Sequence, residues 1–193
     1  APVAVAQSLQ TPDSVELEVI LTGADLEDDD LTFEIVQPPT HGTLTGNPPR
    51  VIYLSEPGYA GPDQFLFRAK DGQANSLVAT VDITVTPVGI NFVSAPANLA
   101  LSPSGNGEFK VVVAGTRPVT YQWNKNGEPL VGQVSDTLVI SQATQADVAI
   151  YSCTASNEVG SVTSEGASLE LVRDPPRIVE HPQHALIQTH GEL

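Results

Sequence analysis

Between Thr22 and Leu31 the chain places five carboxylates in six positions: Asp25, Glu27, Asp28, Asp29 and Asp30. Like charges this close repel one another, so such a loop costs stability unless something neutralises it. Calcium is one chemistry that the composition suits, because that ion takes about six to eight hard oxygens in flexible geometry. Asp25, Glu27 and Asp29 recur at every second residue, which turns alternate side chains to one side, and Asp71 in Lys70-Asp71-Gly72 joins them if the two loops meet. The competing reading is a solvated acidic turn, where Asp serves both the turn backbone and solubility. The glycine and distal glutamate of an EF-hand frame are absent.

The other reactive residue types are sparse. Cys153 is the only cysteine, and none of the four histidines follows it before the tail. Its surroundings in Tyr151-Ser152-Cys153 alternate as a strand does, so three readings arise: a buried structural thiol, an intermolecular disulfide and a nucleophile. The inward position and the missing histidine favour the first, since an apolar site raises a thiol's pKa. His41 lies in a turn, while His181, His184 and His190 lie near the end of the chain with spacing only loosely suited to a metal. No glycine-rich phosphate loop, Gly-x-Ser-x-Gly elbow or His-Glu-x-x-His motif occurs. Lys70 and Lys110, the candidates for an isopeptide cross-link, fall on outward strand positions. No enzyme activity is expected.

Composition narrows the partners. Eight basic residues against 23 acidic ones give a net charge of −15. That balance excludes the basic footprint a nucleic acid or an anionic membrane requires. No apolar run is long enough to span a bilayer, so no direct membrane insertion is expected. The chain opens at Ala1-Pro2-Val3 without an initiator methionine and reads as a piece of something longer.

The elements that must position these residues are strands. Apolar residues alternate in Val15, Leu17, Val19 and Leu21, in Leu31, Phe33 and Ile35, and in Phe65, Phe67 and Ala69. Ala79, Val81, Ile83 and Val85 continue the pattern. A second set follows Thr86-Pro87-Val88-Gly89: Phe109, Val111 and Val113, then Tyr121 and Trp123, then Leu138 and Ile140, then Tyr151, Cys153 and Ala155, then Leu169 and Leu171. Turn residues such as Gln37-Pro38-Pro39, Glu56-Pro57-Gly58 and Asn126-Gly127 separate the runs. Short alternating strands at this spacing predict an all-β chain of two antiparallel β-sandwiches. The sequence divides into residues 1–87, residues 88–173, and residues 174–193 as a linker and the first strand of a further repeat. The first of these carries 13 acids and 3 bases, so most of the acidity lies there.

Thr11-Pro12-Asp13, Leu21-Thr22-Gly23-Ala24-Asp25, Pro39-Thr40-His41-Gly42-Thr43-Leu44, Gly58-Tyr59-Ala60-Gly61-Pro62-Asp63-Gln64-Phe65 and Asp71-Gly72 follow in order. As a set, over residues 1–87, they resemble the cadherin-like Ig-fold repeats of large bacterial surface and secreted proteins. The resemblance implies an acidic Asp-x-Asp-Gly-Asp loop, at which some members bind calcium. Here Glu27 stands at the second acid, and Asp28 replaces a glycine whose left-handed backbone Asp enters less readily.

In residues 90–172, Tyr121-Gln122-Trp123, Leu138-Val139-Ile140, Asp147-Val148-Ala149-Ile150-Tyr151-Ser152-Cys153 and Asn157-Glu158-Val159-Gly160 resemble an immunoglobulin domain of I-set type. That resemblance implies a first disulfide cysteine about a dozen residues before Trp123, where Val111 stands instead. Val111, Trp123, Tyr151 and Cys153 are then expected in one core, with the disulfide replaced by apolar packing.

The two resemblances together imply a structural or adhesive module pair, a spacer or stalk of a large exported bacterial protein, placed extracellularly or at the cell surface. Calcium stiffening through Asp25, Glu27, Asp29 and Asp71 is part of that expectation. The expected partners are neighbouring Ig-like domains of the same chain and a protein or glycan ligand. The alternative is a pair of non-catalytic accessory modules of a multidomain secreted enzyme, with Tyr53 and Tyr59 the aromatic candidates for a sugar platform.

Overall fold

The computed structural model describes residues 1–172, and every described element is a β-strand except one short 3-10 turn, Gln145–Asp147. The expected strand and histidines of residues 174–193 lie outside the described residues. Two sandwiches follow one another, in keeping with the alternation of the sequence.

In the first, β2 (Gln7–Pro12), β9 (Ala79–Thr86), β8 (Gly61–Lys70) and β5 (Thr32–Gln37) form one sheet, in that order. The facing sheet is β3 (Leu17–Ile20), β7 (Arg50–Ser55) and β6 (Gly42–Asn47). The entry pair β1 (Val3–Ala4) and β4 (Gly23–Ala24) lies at the end that carries the acidic loop. Period-two alternation sends Phe65 and Phe67 of β8 and Val81, Ile83 and Val85 of β9 inward, into one core with Val19, Leu21, Val51 and Tyr53. Strand β2 pairs with β9 in parallel while all other pairings of that sheet are antiparallel.

Val15 departs from the alternation and stands 47% exposed. Ser14 adopts a left-handed backbone, φ 61°, and Val15 N–H donates to Pro12 O at 3.2 Å. The chain is therefore turning at Val15, and the strand begins two residues later.

The second sandwich repeats the plan. Its larger sheet runs β11 (Leu99–Leu101), β19 (Ala167–Leu171), β17 (Ala149–Ser156), β14 (Thr120–Lys125) and β15 (Glu128–Pro129), with β18 (Ser161–Thr163) added to β17. Facing it are the pairs β12 (Gly107–Lys110) with β16 (Thr137–Ile140) and β10 (Asn91–Ser94) with β13 (Val112–Ala114). Asn126 and Gly127 both have positive φ, 50° and 87°, which is the conformation a two-residue hairpin between β14 and β15 demands.

Val111, Trp123, Tyr151 and Cys153 are all buried in this second core. Trp123 and Cys153 are directly opposite across β14 and β17. Phe109 stacks on Tyr151 with ring centroids 4.8 Å apart and tilts against Trp123 at 6.1 Å. The polar ends of both large rings are satisfied: Trp123 Nε1 donates to Ser135 O at 2.9 Å and the Tyr151 hydroxyl to Asp147 O at 2.8 Å.

Val111→Cys tests this core directly. The variant is expected to form a disulfide with Cys153 under oxidising conditions, closing a loop of roughly 40 residues and adding about 4 kcal/mol before any strain is subtracted. Denaturant unfolding with and without reductant reads the gain, and failure to cross-link in the oxidised folded protein would place Val111 elsewhere.

Candidate functional site at the acidic end of the first domain

The loop from Asp25 to Asp30 joins β4 to β5, and the turn at Asp71 follows β8. Thr32 and Lys70 are register partners across β5 and β8, so the two loops emerge at the same end of the sandwich. Within the longer loop Asp28 takes the left-handed backbone, φ 58°. This is the position at which the resemblance implies glycine, and the aspartate pays a modest steric cost to hold the same turn.

Asp25 is the one carboxylate of the loop that turns inward. Its side chain is 1% exposed. Oδ1 accepts the Glu27 N–H at 3.0 Å, closing an Asx turn. Oδ2 is buried and accepts no hydrogen bond, and lies 3.6 Å from the backbone nitrogen of Ala1. The same nitrogen is 3.5 Å from Glu27 Oε2. Burial pushes Asp25 up, yet hydrogen bonds from Glu27 outweigh it and hold the carboxyl below the usual range.

Asp71 faces its own turn: Oδ1 accepts the N–H groups of Gln73 at 2.7 Å and Ala74 at 2.6 Å, and these depress its pKa. Asp29 is exposed. Of the four expected ligands the structure therefore brings Asp25 and Glu27 together near the backbone nitrogen of Ala1, turns Asp71 onto its own loop, and leaves Asp29 in solvent. Among the described residues no three His, Cys, Asp or Glu side chains converge into a metal-holding group.

Two carboxylates outside the acidic cluster, Asp13 and Asp63, do more for the fold. Asp63, at the start of β8 and buried, receives four donors: Thr40 N–H (2.9 Å) and Gln64 N–H (2.9 Å) on Oδ1, and His41 N–H (3.1 Å) and the Tyr53 hydroxyl (2.9 Å) on Oδ2. Asp13 Oδ1 accepts the Ser14 hydroxyl at 2.8 Å and Gly58 N–H at 3.1 Å. These bonds tie the phrases Thr11-Pro12-Asp13, Pro39-Thr40-His41 and Gly58-to-Asp63 to one another, so the signal was their recurrence in one motif set. Tyr53 is fully buried, with burial and then Asp63 raising its pKa, and it offers no sugar platform. Tyr59 is half-buried; its ring stacks on His41 at 4.2 Å and its hydroxyl donates to Pro62 O at 2.7 Å.

Cys153 has no exposed surface, and burial pushes its thiol up to about 11, far from the thiolate a nucleophile needs. Asp147 caps the 3-10 turn, accepting Thr144 N–H at 2.9 Å and the Thr144 hydroxyl at 2.8 Å, which lower its pKa. On the open face of the first sheet, Glu34 Oε2 accepts from Arg68 Nε at 2.6 Å and lies 2.7 Å from Lys70 Nζ. These partners hold the Glu34 carboxyl down at about 2.

Residues 1–84 match the family described as bacterial Ig domain, and residues 90–171 match the immunoglobulin I-set domain. Among curated proteins the chain is similar to roundabout homolog 1 of Rattus norvegicus, 31% identical over 121 residues, covering 60% of this chain and 7% of that protein. It is also similar to the neuronal cell adhesion molecule of Mus musculus, 30% identical over 108 residues, covering 52% of this chain and 8% of that protein. The chain thus spans less than a tenth of the length of these relatives. Among solved structures, the immunoglobulin domains 1–5 of sidekick-1 align over 88% of this chain and 39% of theirs, at 16% identity and a TM-score of 0.48. Among the described residues no helix is long and apolar enough to cross a membrane.

The depressed carboxylates set an acid limit. Glu34, Asp25, Asp71 and Asp147 all have folded pKa values below their ordinary ones, so the unfolded chain binds protons first. Their stabilisation is complete above the ordinary carboxylate range and is lost as pH falls through the folded values, for Glu34 between 4.5 and about 2. Denaturant midpoints are expected to fall across that window, with Glu34→Gln removing part of the slope. A midpoint flat from pH 5 to 2.5 would contradict the assignment.

Proposed function

Since residues 1–84 belong to the bacterial Ig domain family and residues 90–171 to the immunoglobulin I-set family, we propose that the pair serves as a structural and adhesive module of a large exported bacterial protein, a spacer or stalk that acts outside the cell and carries no catalysis of its own. The observation that carries this reading is how the buried ionisable groups are used: Asp13 and Asp63 close loops, and Cys153 fills a core. The similarity to a protein named as a cell adhesion molecule supports the adhesive part.

The finer part of the proposal is stiffening by calcium. It is supported by Asp25 Oδ2, which is buried and accepts no hydrogen bond. Asp25, Glu27, Asp29 and Asp71 are the residues that would hold the ion, which would supply the positive charge that this loop needs. The accessory-module reading loses support, because Tyr53 and Trp123 are buried and Tyr59 is engaged with His41.

Stretching single chains end to end tests both parts. A load-bearing pair is expected to unfold in two discrete steps, each releasing roughly 270–300 Å of chain before the folded length is subtracted. Millimolar calcium is expected to raise the force of the step belonging to the first domain and to leave the other unchanged. Gradual yielding at low force would overturn the spacer reading, and an unchanged first step would remove calcium while leaving the spacer intact. Selective retention on a glycan array would return the function to an accessory module.

A further inference from the structure

The carboxylate that closes the base of the first sandwich has a second oxygen, and this one crosses to the second sandwich. Asp13 Oδ2 accepts the Thr116 hydroxyl at 2.9 Å. Asp13 is 4% exposed and Thr116 fully buried, although 103 residues separate them in sequence. Thr116 lies just beyond β13, and its side chain works in both directions: Oγ1 donates to Asp13 and accepts Val88 N–H at 2.9 Å. Its own N–H donates to Val88 O at 3.2 Å. Asn157, in the turn after β17, donates Nδ2 to Val88 O at 2.8 Å and to Thr116 O at 3.0 Å.

A swivelling linker leaves its peptide groups to water, whereas here the N–H and the C=O of Val88 are both consumed by the second domain. A further strand of the contact bypasses the linker altogether. Arg117 N–H donates to Gly58 O at 3.0 Å. The stem of Arg117 lies over Gly58, whose φ is +84° and where an added Cβ would stand 3.0 Å from Arg117 Cγ. Asp13 thus gathers the Ser14 hydroxyl, Gly58 N–H and the Thr116 hydroxyl, three donors from both sides of the junction. A buried carboxyl group is tolerated where donors fill its lone pairs in this way.

We infer that the base of the first domain is a docking surface for the Thr116–Arg117 and Asn157 end of the second, so that the two sandwiches move as one body at a fixed angle, with Asp13 as the pin. The inference stands on the geometry of the junction and holds whether or not the pair serves as a spacer. It gives Thr86–Ile90 the role of a bonded seam in place of a hinge.

Residual dipolar couplings and 15N relaxation of the whole chain read the coupling directly. Amides of both domains are expected to fit one alignment tensor and one rotational diffusion tensor. Thr116→Val, which keeps the shape and removes the hydroxyl, combined with Asn157→Ala, is expected to lose that common tensor while both domains keep dispersed, folded spectra. Separate tensors in the unsubstituted chain would overturn the proposal even if the variant failed to fold. A single tensor persisting in the folded variant would overturn the role of this network.

Discussion

A carboxylate buried between the ends of two β-sheets survives only where donors fill its lone pairs, and Asp13 and Asp63 meet that condition in different ways. Asp63 draws on four donors from three segments of one domain. Asp13 draws on three donors from two domains. The first fixes the loops between β5 and β8; the second fixes what lies beyond them. Replacing either by an apolar residue would leave backbone N–H groups unpaired in the interior, which costs more than the hydrogen bonds themselves contribute. The acidity of the first domain is therefore of two kinds: an exposed cluster at one end, and single buried anions that hold the other end together.

The second domain reaches a comparable result with apolar contacts. Val111 stands in the core beside Trp123, Tyr151 and Cys153, and Phe109 bridges the two large rings. The Tyr151 hydroxyl and the Trp123 indole donate to backbone carbonyls in neighbouring loops, so the rings tie strand to loop as well as filling volume. No bridge constrains the unfolded chain, and the stability of this core does not depend on the redox state of its surroundings. Cys153 contributes as a small polarizable side chain, and its raised pKa follows from the same burial.

Most of the frame was legible in the sequence because period-two alternation is a local property. The faces of β8, β9, β14 and β17 could be read residue by residue, and the Trp123, Tyr151 and Cys153 constellation located the second core. Val15 was misread since Ser14 places a left-handed turn inside an alternating run, and serine carries no strong signal for that backbone. The acidic loop was legible as a cluster but not as a geometry: only the fold tells that Asp25 turns in, Asp71 caps its own turn and Asp29 faces water. Asp13 and Asp63 stand in the phrases that carry the resemblance, but what they bond, like the role of Thr116, was illegible for a physical reason. Beside the neighbouring Ser14 and Gln64, their partners lie 10 to 103 residues away, which leaves no periodic trace, and Asp13 in Thr11-Pro12-Asp13 looks like any turn residue.

The central claim is that buried polar groups make the frame continuous from the first sandwich into the second. Amide hydrogen exchange of the native chain tests it at the atoms concerned. Val88, Thr116 and Arg117 N–H groups, which donate to Thr116 Oγ1, Val88 O and Gly58 O, are predicted to exchange as slowly as amides at the ends of β9 and β14. Exchange of these three at the rate of an open linker, with the sheets on either side still protected, would contradict the account.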